Sequence, residues 1–156
     1  MAIPLTLRPA TLEDADFVRS LLPRFVEFGL PSGRDPGAFL ERIERALLSN
    51  LEQEDAFSAF WIAEQGGEPL GFLRVERQVE ADQDAPMAYI SDVAVSESAQ
   101  GRGVGRALMA AAEAWGRENG CAQVALKVFA TNTHARAFYA SLGYAEDHLE
   151  LVKPLG

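Results

Sequence analysis

The sequence predicts a mixed α/β fold, a mixed sheet with helices on its faces in the order βααβββαβαβ. Three observations predict it: strand-like apolar runs interleaved with helical stretches, an alanine-rich helix opening on a glycine-rich turn, and no internal repeat or low-complexity linker. With 156 residues, 48% of them hydrophobic and 24% charged, the chain can build one core and has an ordinary globular composition, so residues 1–156 read as a single domain.

Leu5 and Leu7 lie on one side of a short strand that ends near Pro9. Thr11 and Asp14 then form a capping-box-like start, with Asp in place of Glu or Gln, to a helix running to about Phe28. Residues 29–37 are dense in Gly, Pro, Ser and Asp and read as a loop that can gate or shape a pocket. A second helix covers about Ala38 to Glu52. Phe57 to Glu64 and Leu70 to Val79 are strand-like and join around Gln65-Gly66-Gly67-Glu68, a hairpin signal.

After a polar connector, Glu80 to Ala85, the run Met87 to Val95 is apolar on both faces, as in the middle of a covered sheet. The alanine-rich helix spans about Gly103 to Asn119, with Gly120 as its stop. Gln123 to Phe129 reads as a strand, Thr133 to Leu142 as a helix ended by Gly143, and Tyr144 to Val152 as a final strand.

The net charge of −9 argues against nucleic acid, since phosphate-backbone binding needs a basic face. Its distribution says more. Residues 100–136 hold five basic and two acidic side chains, a local +3 that leaves −12 for the remainder. One segment suits an anion, and the rest favours cations. A lone cysteine, Cys121, supports no internal disulfide and no Cys-rich zinc site, and it fits a reducing compartment. The start of the chain lacks a basic region followed by an apolar run, and no stretch approaches the ~20 apolar residues that span a bilayer, so the expected location is cytoplasmic, without membrane or metal.

Gly101, Gly103 and Gly105, placed between a strand and a helix, gather backbone N–H groups around one point at the positive end of a helix dipole. Three nucleotide motifs compete for such a segment. A P-loop needs Gly-Lys-Ser/Thr, but Gly105 is followed by Arg106 and Ala107. The dinucleotide fingerprint needs a glycine where Arg106 or Leu108 stands, and no acidic residue lies near position 123. The third matches: Gln100-Gly101-Arg102-Gly103-Val104-Gly105 resembles the Q/R-x-x-G-x-G/A signature of the GCN5-related N-acetyltransferase (GNAT) superfamily. Asn132-Thr133-His134-Ala135 through Phe138-Tyr139 to Gly143-Tyr144 resembles that superfamily's N-x-x-A-x-x-F-Y-x-x-x-G-F/Y segment.

The resemblance implies a mostly antiparallel central sheet and acetyl-CoA as co-substrate, in a cleft between strands that splay around Val95 and Val124. It places the pyrophosphate on backbone amides from Gln100 through Arg106, which include those of Arg102 and Val104. It further implies that Val93 and Val95, with Ala94 between them, pair their main chains with the pantetheine arm, that Asn132 hydrogen-bonds pantetheine with Ala135 also at the cofactor, and that Tyr139 is the general acid on the departing thiolate. A phenol of pKa ~10 is protonated at neutral pH and can donate. Positions 132 and 139 are seven apart, so on a helix both side chains face one ligand.

An acceptor amine must lose a proton before it attacks, so a base is required. Members of the superfamily often carry Glu-Asp on the strand before the glycine turn, whereas this chain has Ser91-Asp92, which leaves Asp92 as the candidate base and Glu27 as a weaker one. Phe25, Glu27, Phe28 and Ser91 are the expected acceptor-side residues. The expected function is acetyl transfer to a primary amine of a cationic small molecule or peptide, by direct attack in a ternary complex. The competing reading is a non-catalytic acyl-CoA-binding module. Dimerisation is common in the superfamily, so a homodimer is an expectation, with no interface located.

Overall fold

Five of the strand-like runs pair edge to edge into one sheet, in the order β1-β2-β3-β4-β5. The structure, a computed structural model, describes residues 2–53 and 55–156, so Met1 and Glu54 of the expected 1–156 domain lie outside the described residues. The strands are β1 (Leu5–Pro9), β2 (Ser58–Gln65), β3 (Glu68–Gln78), β4 (Met87–Val95) and β5 (Gln123–Leu126). The first three pairings are antiparallel and β4–β5 is parallel, so the sheet is mixed and mostly antiparallel. The β2–β3 turn has Gly66 and Gly67 at φ 61° and 80°, the left-handed pair that a tight hairpin demands.

Helices α1 (Ala15–Ser20), α2 (Pro36–Leu51), α3 (Val104–Glu118) and α4 (Thr133–Ser141) flank the sheet. Two cores result. Leu108, Met109 and Ala112 of α3 pack on Leu73, Val75, Ala88 and Ile90 on one face. Leu47 and Leu51 of α2, with Val18, Leu21 and Leu22, pack on Ile62, Phe72 and Ala94 on the other. Burial on both faces explains the continuous apolar run of β4.

Four expectations are corrected. The first helix is a broken segment: a 3₁₀ turn at Leu12–Asp14, then α1, then a second 3₁₀ turn at Leu22–Phe25. Pro23 sits inside the second turn and lacks a backbone donor, so a regular helix does not continue to Phe28. α2 begins two residues early, because Asp35 caps it through Oδ2, accepting from the Ala38 amide at 2.8 Å, and Pro36 suits the first helical position. β5 ends at Leu126 and not Phe129, because its ladder with β4 stops at the Ile90–Leu126 pair. Tyr144 to Val152 forms no strand: its alternation of apolar residues is present, but among the described residues it has no ladder partner.

The capping box forms, with Thr11 Oγ1 accepting from the Glu13 amide at 3.3 Å and Asp14 Oδ2 accepting from the Thr11 amide at 2.8 Å. Asp14 is buried and does more than cap. Arg8 donates to both of its oxygens, at 2.7 and 2.9 Å, and through Nε to Glu64 at 2.8 Å, which ties β1 to β2 and to the first turn. The Arg8 guanidinium holds the Asp14 carboxyl below its ordinary value, against the opposing effect of burial. A depressed folded-state pKa gives stability that is complete above the unfolded carboxylate pKa of ~3.9 and is lost as pH falls through the lower folded value. Asp14→Ala is expected to cost about 1–3 kcal/mol in urea denaturation at pH 7 and to flatten the fall in stability below about pH 4; an unchanged acid limb would remove Asp14 from the acid sensitivity.

Candidate functional site

β4 carries one residue more than its partner requires. Arg74 of β3 pairs with Asp92, and the next residue, Val75, pairs with Ile90, so Ser91 bulges out of the ladder. A bulge reverses which face each later side chain takes. Before it, Ala88 and Ile90 face the α3 core; after it, Val93 and Val95 face that core, and Ala94 faces the α2 core. Asp92 shares the parity of Ala94 and so turns toward the side of the sheet that carries α1 and α2. The parallel β4–β5 ladder ends at the residue just before the bulge. Beyond that point the two strands part, and a cleft of about 1260 Å³ opens between them.

One end of the cleft is the glycine turn. Gly101 and Gly103 have φ 76° and 81°, conformations that side-chain-bearing residues resist. The amides of Gln100 and Arg102 are already spent on the carbonyls of Glu97 and Ala99, at 3.2 and 3.3 Å, and the first bond of α3 runs from the Ala107 amide to Gly103 at 3.1 Å. The amides of Gly101, Gly103, Val104, Gly105 and Arg106 therefore lack a backbone acceptor among the described residues. Five such donors at the start of a 15-residue helix can hold an anion. Gly105 has a different role from its neighbours: a Cβ there would stand 3.1 Å from the Phe138 ring, so its lack of a side chain lets α3 and α4 approach.

All but one of the residues expected at the site line this cleft: Phe25, Glu27, Phe28, Ser91, Asp92, Val93, Ala94, Val95, Gln100, Gly101, Gly103, Val104, Gly105, Arg106, Asn132, Ala135 and Tyr139. Arg102 is the exception. Its guanidinium turns away to Gln65, across the start of the β2–β3 hairpin, and its amide is used within the turn. Asn132 caps α4, its Oδ1 accepting from the Ala135 amide at 3.2 Å, which leaves the Asn132 side-chain NH₂ as the group able to reach a ligand.

Burial raises the Asp92 carboxyl above its ordinary value; Ser91 and Arg74 pull the other way, and Glu76 adds to the rise. Such a carboxylate takes up a proton more readily than an exposed one. Tyr139 lies across the same cleft, with its ring against Phe138 and Tyr144 at 5.5 and 6.1 Å between centroids. Burial pushes its phenol up to about 12, so it carries its proton throughout the neutral range. A group able to accept a proton and a group able to give one therefore share one cavity with a nest of free amides.

The other end of the cleft is aromatic. Phe28 and Phe39 each meet Phe129, with centroids 5.8 and 5.7 Å apart, and the Arg34 guanidinium lies 4.9 Å from the centre of the Phe129 ring. Thr131 Oγ1 donates to the Gly29 carbonyl at 3.1 Å, fastening the 29–37 loop to the segment before α4. Arg24 Nε donates to the Val95 carbonyl at 3.1 Å and its Nη1 pairs with Glu27. Glu27 is thus already partnered.

Sequence reasoning missed Arg24, Phe39, Ile43 and Phe129 as cleft residues. Phe39 and Ile43 stand at i and i+4 of α2, a spacing that does place them on one face and could have pointed to them. Arg24 pairs locally with Glu27, but the bond that joins it to the cleft strand is to Val95, 71 positions away, and no local pattern announces that bond.

A family model described as Acetyltransferase (GNAT) family matches residues 23–144. An aminoglycoside N(6')-acetyltransferase type 1 from Stenotrophomonas maltophilia is 32% identical over 146 residues, covering 90% of this chain and 86% of the relative. Among solved structures, a putative acetyl transferase from Pyrococcus furiosus is 28% identical at a TM-score of 0.75, covering 97% of this chain and 100% of that one. The aminoglycoside N-acetyltransferase AAC(6')-Iy, solved in complex with CoA, shares the fold at 21% identity and a TM-score of 0.71, covering 100% of this chain and 98% of that one.

Placing a Cβ at φ 81° costs about 1–2 kcal/mol. Gly103→Ala is accordingly expected to lower the urea midpoint with little change in the slope of the transition. An unchanged midpoint would mean that the turn relaxes to accept a side chain.

Proposed function

The chain belongs to the acetyltransferase (GNAT) family and is an acetyl-CoA-dependent N-acetyltransferase, and on that premise we propose that it acetylates a primary amine of a cationic small molecule by direct attack, with both substrates held together in the cleft. The observation that carries this reading is the meeting of Asp92, Tyr139 and five free amides in one cavity. We further propose that residues 1–156 act as one acetyltransferase domain in the cytoplasm, the lone cysteine fitting a reducing compartment. Among the described residues, no helix is long and apolar enough to cross a membrane.

The residues suit the co-substrate. The amides of Gly101, Gly103, Val104, Gly105 and Arg106 would hold its pyrophosphate, the Asn132 side-chain NH₂ would donate to the pantetheine arm, and the main chain from Val93 to Val95, where β4 has left β5, would align that arm. Acetyl-CoA supplies the thioester acyl group. Asp92 accepts the proton that an ammonium acceptor must lose, directly or through water. Main-chain amides on the open edge of β4 offer donors to a carbonyl oxygen that gains charge. Tyr139 keeps its proton until sulfur departs and delivers it there.

The acceptor enters beside Phe28, Phe39 and Phe129, whose ring faces suit a cation, as the seat of Arg34 over Phe129 illustrates. The acidity outside residues 100–136 favours a cationic acceptor for the protein as a whole. An aminoglycoside-like amine is the leading class, supported by the Stenotrophomonas maltophilia relative. Polyamines and basic peptide ends are the comparators in an acetyl-CoA-consumption screen, and no turnover with any amine would leave an acyl-CoA-binding module as the better description.

Tyr139→Phe is expected to preserve acetyl-CoA binding by calorimetry and to lower kcat well over tenfold. Asp92→Asn is expected to lower kcat/KM by about 10²–10⁴-fold. The sign of the pH effect follows from the roles. Asp92 must be unprotonated, so the wild-type rate falls as pH drops through its raised pKa, and that limb disappears in Asp92→Asn; Tyr139, titrating at about 12, imposes no loss near neutrality. An unchanged rate in either variant removes that residue from the mechanism.

A further inference from the structure

The side chain of Arg74 on β3 is only 11% exposed, although it carries a charge. It stands directly opposite Asp92 of β4, so the two side chains leave the sheet on the same face. Asp92 lines the cleft and Arg74 does not. A charged group so covered persists where hydrogen bonds replace the water it has lost. One nitrogen makes two of them: Nη1 donates to Glu76 Oε2 at 3.0 Å and to Ser91 Oγ at 3.2 Å. Glu76 is two residues along the same strand, on the same face, and fixes where the guanidinium lies.

Ser91 is the bulged residue, without a partner in the β3–β4 ladder. Having accepted from Arg74, its hydroxyl still has a proton to give. Asp92 is the group that takes it. Burial raises the Asp92 carboxyl, the hydrogen bond from Ser91 lowers it, the Arg74 charge lowers it further, and Glu76 raises it. Other groups also face this cavity. Tyr89 on β4 holds its phenol proton, pushed above its ordinary value by burial first and by Asp92 next. Arg24 and Glu27 face the cavity as an ion pair, and Lys127, His134 and Tyr139 close it from beyond β5. Glu97 and Arg106 lie at the glycine-turn end, and α2 contributes Phe39 and Ile43, neither of which titrates.

We infer that Arg74 is a positioning residue for acetyl transfer: seated by Glu76, it orients the Ser91 hydroxyl toward Asp92 and so holds the carboxylate as proton acceptor. The inference rests on the reading of Asp92 as the base. It gives the serine at the bulge a task of its own, since a hydroxyl can accept from a guanidinium and donate to a carboxylate at once.

Arg74→Met and Ser91→Ala test this, with folding checked by urea denaturation. Ser91→Ala removes a single oxygen, so it keeps the test open if Arg74→Met does not fold. Carbon-13 NMR reads the Asp92 carboxyl without turnover, and the pH profile of kcat/KM reads it through the reaction. In each folded variant Asp92 is expected to titrate at higher pH than in the unaltered chain, and the acid limb of the profile to move with it. Below that limb kcat/KM falls about tenfold per unit of displacement, and above it the loss shrinks. His134 is unchanged in both variants, so any limb it causes stays where it is. The double variant is expected to shift the titration by less than the sum of the single shifts, because the two residues act in series. An unmoved Asp92 titration in a folded variant, whatever the loss of rate, marks mere bracing of the sheet and overturns the relay; so do strictly additive shifts. A titration that moves while the rate limb stays in place upholds the relay and overturns Asp92 as the base.

Discussion

The extra residue at Ser91 is the constraint on which the rest of the site depends. β4 is buried on both faces and holds the sheet together, yet it also presents a carboxylate and an open main-chain edge to the cleft. One bulged residue reconciles these demands. It reverses the facing of each later position, so Val93 and Val95 continue the α3 core and Asp92 turns to the opposite side. It also falls just where the β4–β5 ladder stops. Hydrogen bonds that a regular sheet would satisfy internally are thereby left open along the wall of a cavity.

The two ends of that cavity are built from different physics. At the glycine turn the exposed donors are main-chain amides, fixed by left-handed glycines and by a helix start, a surface suited to negative charge and close approach. At the far end they are aromatic rings from the first segment, from α2 and from the chain after β5, joined by ring contacts and a loop hydrogen bond. Three separate segments converge on the second end, and small changes in any of them alter its shape. The first end depends on one contiguous stretch and is correspondingly stiff.

This difference also governs what could be read from the residues alone. The glycine turn, Asn132 and Tyr139 lie in two short stretches of sequence, and the resemblance of those stretches to the motifs of a family is what pointed to them. The hairpin at Gly66-Gly67 and the Thr11–Asp14 box were legible because they too are local in sequence. Arg8 with Asp14 and Glu64, Arg24 with Val95, and the contact between Phe39 and Phe129 are tertiary pairings between separated segments, so no local pattern announces them. The bulge at Ser91 was hidden because β4 is apolar on both faces, and a parity change cannot be seen where there is no alternation. The strand expected over Tyr144 to Val152 is absent for the opposite reason: its residues suit a strand, but a strand exists only with a neighbour, and among the described residues it has none.

Gly105 lends the arrangement a further property. The tip of the Phe138 ring would stand 3.1 Å from a Cβ at 105, so the start of α3 and the body of α4 are spaced by one phenylalanine side chain. The free amides of Val104, Gly105 and Arg106 belong to α3, and the phenol of Tyr139 belongs to α4. That single contact works as a gauge block, fixing how far the free amides at the start of one helix stand from the phenol on the other.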